Sequence, residues 1–251
     1  MKKFIFVLSF ILLLPGRVFA GEIIVAASAN LAVVIDELKL AYEKESRDKV
    51  KIVTGSSGKL TAQIENGAPF DVFLSADTLY PEILYKEKLV VGSPKVYAYG
   101  ILVLWTTKIM DLSEGAAVLN GADVKKIALP DPRVSPYGRE AVNVLKYYKL
   151  YQSVNKKLVY GESIPQANDF IVSGSADIGF TSKSTALSPN LKEKGAWIEL
   201  PGESYSRIAQ AVVILKHAHS TDIEAAKRFY NFIFSPQAKE IFIKHGYTIN
   251  E

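Results

Sequence analysis

The chain has 251 residues, 49% of them hydrophobic and 22% charged, with 30 basic and 26 acidic side chains and no cysteine. That balance is globular and excludes collagen, coiled coil and low-complexity disorder. Without cysteine there are no disulfide scaffolds, thiolate metal centres or cysteine nucleophiles.

Residues 1–20 read as a cleavable signal peptide. Lys2 and Lys3 precede an apolar run at 4–14, too short to span a bilayer, and Val18-Phe19-Ala20 is a small-x-Ala cleavage signal. The expected product starts at Gly21 and is a soluble exported protein. Loss of Lys2, Lys3 and Arg17 lowers the formal charge from +4 to +1. Such a surface carries no electrostatic footprint for nucleic acid.

Strand and helix signals then alternate. A strand at 23–25 precedes a helix whose Leu31, Val34, Ile35, Leu38 and Tyr42 recur at helical spacing. A strand at 50–53 leads to a helix at 57–65, stopped by Asn66-Gly67. A strand at 72–74 and a helix at 81–88 follow. One long strand is predicted at 95–105, with Gly100 in its middle, and another strand at 127–129. A proline-rich turn at 130–136 introduces a helix at 137–148, then a strand at 157–160. Ser163 and Gln166 have capping-box spacing for a helix to Val172, and a strand lies at 178–180. A strand at 208–215 leads back. Thr221 and Glu224 have capping-box spacing for a helix through Ile233, and Ser235-Pro236 starts the last helix, ending at Gly246.

This alternation implies α/β layers with mostly parallel sheets flanked by helices. The chain can form two lobes if it crosses between them in extended segments, for which 97–105 and 204–215 are the candidates. Residues 21–98 and 204–251 would then form the first lobe, discontinuous in sequence, and residues 99–203 the second.

No catalytic constellation is visible. His217, His219 and His245 lie far from the Gly/Ser-rich turns and read as surface histidines. There is no G-x-S-x-G elbow, and Gly55-Ser56-Ser57-Gly58-Lys59 lacks phosphate-loop spacing. What stands out is four strand-to-helix turns rich in small or hydroxyl residues: 26–30, 54–58, 135–138 and 162–165. Each aims unpaired helix N–H groups beyond a strand end, where an anion can bind without a cationic side chain.

The residues Val25-Ala26-Ala27-Ser28-Ala29-Asn30-Leu31, Gly55-Ser56-Ser57-Gly58, Asn66-Gly67-Ala68-Pro69-Phe70-Asp71-Val72-Phe73-Leu74-Ser75-Ala76-Asp77, Pro136-Tyr137-Gly138, Ala176-Asp177-Ile178-Gly179-Phe180 and Ser235-Pro236-Gln237-Ala238 carry a resemblance over essentially the whole mature chain. It resembles the periplasmic molybdate-binding proteins of molybdate ABC importers, which are type II periplasmic binding proteins. The resemblance implies a two-lobed α/β receptor that closes on a tetrahedral oxyanion. It implies ligand contacts from Asn30, Ser57, Tyr137 and the backbone N–H of Ile164. Ser28 is an alternative to Asn30, and Ala29 and Ala76 are secondary candidates. Near Thr181-Ser182 some members place a ligand-contacting tyrosine that this chain lacks.

By the same resemblance, molybdenum enters only as its oxyanion and through these residues, tungstate is a second cargo, and no cofactor is needed. The implied partner is a molybdate ABC permease of the inner membrane, and the receptor is monomeric and not an enzyme. Three alternatives stay open: another oxyanion or small organic anion as cargo, a sensor reporting to a receptor, and a secreted enzyme using Ser57 or Tyr137.

Overall fold

The computed structural model describes residues 21–249, so the expected leader lies outside the described residues. The strands are β1 (Glu22–Ser28), β2 (Lys49–Gly55), β3 (Val72–Leu74), β4 (Val90–Gly100), β5 (Leu102–Thr106), β6 (Ile127–Pro130), β7 (Leu158–Gly161), β8 (Ile178–Ser182), β9 (Ala196–Glu199) and β10 (Ile208–Leu215). The helices are α1 (Ile35–Ser46), α2 (Ser57–Glu65), α3 (Leu79–Lys86), α4 (Pro136–Tyr147), α5 (Tyr151–Val154), α6 (Ile164–Val172), α7 (Lys183–Ala186), α8 (Ile223–Phe232) and α9 (Pro236–Lys244).

Two five-stranded sheets result, in the orders β2-β1-β3-β10-β4 and β7-β6-β8-β5-β9. Both follow one plan. Three strands joined by helical crossovers are parallel: β1 lies between β2 and β3, and β6 between β7 and β8. The fourth strand in each order runs antiparallel to both its neighbours. Each sheet is therefore mixed but mostly of one direction: four strands run the same way, and the reversed one is the strand that enters from the other lobe.

That strand exchange also divides the long strand expected at 95–105. β4 pairs with β10 in the first sheet as far as Gly100 opposite Ile208, whereas Leu102 already pairs with Ser182 in the second. Ile101 alone lies between them. Register shifts in β10 at Gln210/Ala211 and Val212/Ile214 mark where the ribbon bends.

Helices cover both faces of each sheet, so the central strands are apolar throughout. In β1, Ile23, Val25 and Ala27 face the core built with α1, α8 and α9, where Leu38, Tyr42, Phe229 and Phe242 are buried. Ala26 faces the opposite core with Leu60, Phe73 and Leu84. In the second lobe Leu104, Ile127, Leu129 and Phe180 pack with α4 residues Ala141, Val144 and Leu145, while Trp105 and Ala128 face Ala167 and Ile171 of α6.

Caps account for several helix starts. Ser135 and Ser235 accept from the N–H groups of Gly138 and Ala238. The two expected capping boxes form differently. Asp222, not Thr221, caps α8 through Ala225 N, because the Thr221 hydroxyl donates to Asp71 at 2.6 Å. Ser163 makes no side-chain cap, and Gln166 Oε1 instead accepts from Glu162 N at 2.6 Å. The short elements β9 and α7 carry no periodic signal and were not anticipated. His217 and His245 are also less exposed than expected: His217 faces Asp71 at 3.2 Å, and His245 faces Glu37 at 2.7 Å.

Asp71 ties these pieces together. It is buried, and its Oδ2 accepts from Ile24 N at 2.7 Å while Oδ1 receives Thr221. Asp71→Ala would leave the Ile24 N–H without its acceptor and the Thr221 hydroxyl with only the Ala218 carbonyl at 3.4 Å. The expected cost is about 3 kcal/mol of folding stability, read by urea unfolding.

Candidate functional site

The register of the sheets sets the site. β1 and β2 end side by side, with Ser28 opposite Gly55, so the turns at 26–30 and 54–58 are neighbours. β6 and β7 end in the same way, with Pro130 opposite Gly161, so the turns leading into α4 and α6 are neighbours in the second lobe.

In the first lobe the structure brings Ser28, Ser57 and Ala76 together. Ser57 is fully buried. Its Oγ donates to Ser28 Oγ and accepts from Ala76 N, each at 3.0 Å. Asn30, also buried, lies in the short 3-10 turn Ala29–Leu31. Its Nδ2 donates to Gln210 Oε1 at 2.9 Å and to Tyr247 Oη at 3.1 Å. Both amide protons are thus used, and Asn30 Oδ1 is buried without a partner among the described residues. Tyr247 Oη and Ser184 Oγ donate to the Asn30 carbonyl at 2.9 and 3.2 Å. What Asn30 retains to offer an anion is its backbone N–H.

In the second lobe Tyr137 and Ile164 are both buried and share an apolar cluster with Ala76 from the first lobe. Gln210, the third residue of β10, links the two halves. Its Nε2 donates to Tyr137 Oη at 3.3 Å, while its Oε1 accepts from Asn30 and from Tyr97 Oη at 2.8 Å. With Gln210 donating to it, Tyr137 keeps its own proton available. Burial pushes the Tyr137 and Tyr97 phenols well above their ordinary value, and Tyr247 up to about 12, so all three remain protonated donors at neutral pH.

Among the described residues no group accepts from the backbone N–H of Asn30, Ser57, Tyr137 or Ile164. Three of these begin α2, α4 and α6, where the helix dipole adds positive potential. The four turns supply donors from both lobes, and their one charged side chain is Glu162. The adjacent charges are already paired across the lobe boundary. Arg139 forms an ion pair with Asp77 and bonds Tyr80 Oη at 3.2 Å, and Lys59 pairs with Glu162. Burial pushes the Asp77 carboxyl up, with Arg139 opposing. Two further bonds close the same edge: Gly58 N to the Val134 carbonyl at 2.9 Å, and Tyr80 Oη to the Arg133 carbonyl at 3.2 Å.

Ala29 lies apart from this network. It lines a groove of about 490 Å³ with Val33 on one side and Pro165, Asn168 and Ser188 on the other. Thr181 and Ser182 are buried in β8; Ser182 Oγ accepts from Thr185 N at 3.2 Å, capping α7.

Sequence reasoning missed the braces: Gln210, Tyr97, Tyr247, Ser184 and Gly100. Gln210 did leave a signal, as the one polar side chain inside the apolar run Ile208–Leu215. Gly100 is the crossover glycine. A Cβ there would stand 2.0 Å from Tyr137 Oη and 2.7 Å from Gln210 Nε2.

A family model for bacterial extracellular solute-binding proteins matches residues 23–248. The chain is 37% identical over 231 residues to the molybdate-binding protein ModA of Azotobacter vinelandii, covering 92% of this chain and 91% of that one. It is 36% identical to the ModA of Rhodobacter capsulatus, with 91% and 89% covered. Among solved structures, the periplasmic molybdate-binding protein of A. vinelandii superimposes with a TM-score of 0.84 at 33% identity, covering 91% of this chain and all of that one.

The packing around Gly100 makes a prediction. Gly100→Ala must displace Tyr137 and Gln210 together, with an expected loss of about 2 kcal/mol in urea unfolding. Unchanged stability would show that Tyr137 is not confined by the crossover.

Proposed function

The chain belongs to the bacterial extracellular solute-binding proteins, and from that membership we propose that it captures molybdate between its lobes and hands it to an ABC permease. The observation that carries this reading is the donor set. Four strand-to-helix turns, two from each lobe, offer backbone N–H groups, the Ser57 hydroxyl and the Tyr137 phenol, and their one charged side chain, Glu162, is neutralised by Lys59.

Molybdate suits such a set. At neutral pH it is a dianion with four acceptor oxygens and no proton to donate. Hydrogen phosphate must place a proton on an acceptor, and the nearby carboxylates are occupied: Asp77 by Arg139, Tyr80 N and Ser75 Oγ, and Glu162 by Lys59. Sulfate shares the charge and shape of molybdate but is smaller. Discrimination against it rests on a fixed separation of donors, which the buried Gln210 braces hold. Tungstate is nearly the same size as molybdate and is expected to bind equally.

In this reading Ser57, Tyr137, Asn30 and Ile164 are the ligand contacts. Ser57 can turn its proton from Ser28 to the oxyanion while still accepting from Ala76 N. Asn30 and Ile164 contribute backbone N–H groups. Charge is spread over helix ends, so no lysine or arginine must be desolvated beside the anion. The protein acts as a binding protein in the periplasm, monomeric, without a cofactor and without catalysing a reaction. The interlobe bonds at Asp77, Gly58 and Tyr80 form when the lobes come together, so they set how long the cargo stays.

Calorimetric titration of residues 21–251 tests the cargo. One-to-one binding of molybdate and tungstate is expected, with sulfate and phosphate silent; binding of sulfate or phosphate alone would overturn the assignment. Ser57→Ala is expected to weaken molybdate about tenfold or more, from the loss of a charge-assisted hydrogen bond. Arg139→Met is expected to speed molybdate release about tenfold in stopped-flow displacement, with a much smaller change in association rate.

A further inference from the structure

The beginning of β1 occupies a charged pocket on the first lobe that the ligand turns do not use. Gly21 is buried. Its nitrogen donates to Asp48 Oδ1 at 2.9 Å, and its carbonyl accepts from Lys49 N at 2.7 Å. Asp48 is wholly buried and is held from two other sides. Arg228 of α8 reaches it with Nε and Nη2, each at 2.9 Å, and Tyr42 of α1 donates at 2.5 Å. A second carboxylate lies against Gly21: a Cβ at that position would stand 2.5 Å from Asp222 Oδ2 and 2.6 Å from Ala225 Cβ. Only glycine fits there.

The charges around this nitrogen do not balance. Asp48 and Asp222 supply two negative charges and Arg228 one positive. The other charged groups nearby are spent elsewhere or face solvent. Glu22 pairs with Lys51 at 2.6 Å, Glu224 pairs with Lys227 at 2.8 Å, and the Lys49 side chain is exposed. Tyr42 is neutral, with its phenol pushed above its ordinary value by burial and by Asp48. One positive charge at the Gly21 nitrogen would complete the cluster. The sequence places the cleavage signal Val18-Phe19-Ala20 immediately before it.

We infer that removal of the leader creates a structural ion pair, in which the new α-ammonium group of Gly21 binds Asp48 and Asp222 and fastens β1 to α8. Hydrolysis of the Ala20–Gly21 bond adds water: Ala20 leaves as a carboxylate, and the proton it sheds is taken up by the Gly21 amine. The neutral N–H already seated on Asp48 becomes a cation in the same place. Before cleavage the cluster carries a net negative charge; after it, none. Maturation thereby stabilises the fold as well as releasing it from the leader, whatever the cargo.

Two chains isolate the effect. One begins at Gly21 and the other retains Ala20, so that the Gly21 nitrogen stays an amide and its hydrogen bond to Asp48 is kept while the charge moves one residue away. The α-amine of the Gly21 chain, followed by NMR of 13C-glycine-labelled protein, is expected to titrate above the ordinary range of about 7.7–8.0, and that of the Ala20 chain, followed with 13C-alanine, within it. At pH 7 the Gly21 chain is expected to melt about 3 °C or more above the Ala20 chain. A raised folded-state value means that the advantage is complete below the unfolded value and is lost as pH rises through the folded one. Asp48→Asn would remove the upward shift of the amine, and Asp222→Asn would reduce it. An amine that titrates in the ordinary range, or a melting difference indifferent to pH between 7 and 10, would overturn the inference.

Discussion

Everything at the four strand-to-helix turns depends on the paired crossing of β4 and β10. The two strands run antiparallel to the edge of the first sheet, where Gly100 faces Ile208, and there the outgoing chain enters the second lobe. Because the crossing is a hydrogen-bonded ribbon, the lobes are joined with little freedom to twist. Gln210 sits within that ribbon and touches Asn30 on one side and Tyr137 on the other. A single buried amide thereby sets the spacing between donors that come from different lobes. Gly100, whose missing side chain is the space that Tyr137 fills, is the other half of the same device.

The charge arrangement follows from what burial costs. A fixed cation beside a bound dianion would have to lose its water each time the lobes meet, and it would be left unpaired whenever they part. Helix N-termini avoid this, because their N–H groups are fixed by the fold and carry only partial charge. The full charges are set at the rim, where Arg139 meets Asp77 and Lys59 meets Glu162 across the boundary. Neutral donors sit in the interior, and ion pairs sit around it.

Local signals made much of the fold legible. The helix Ser57–Glu65 was readable because Asn66-Gly67 stops it, and Gly67 does adopt φ +84°. β3 and β10 were legible as apolar runs. The split at Ile101 was not legible, since Lys95 to Trp105 reads as one extended segment and the change of sheet is decided by partners more than 70 residues away. The α8 cap failed for the same reason: Thr221 has the right spacing, but its hydroxyl goes to Asp71, 150 residues distant. At the four turns, hydroxyl and glycine residues after strands could be read locally. The braces could not, because Tyr97, Tyr247 and Ser184 become polar partners only once three separate segments meet at Asn30 and Gln210.

The exchanged strands also govern the order in which the molecule can assemble. β5 and β9, with everything between them, form one continuous stretch that holds a complete second sheet. The first sheet lacks its strand between β3 and β4 until residues 208–215 are present. A chain threaded through a membrane from its N-terminus would therefore deliver its earliest lobe first and finish it last. Until the C-terminal quarter arrives, β3 and β4 stay unjoined and the leading half cannot lock, which suits a polypeptide that must cross a narrow channel before it folds.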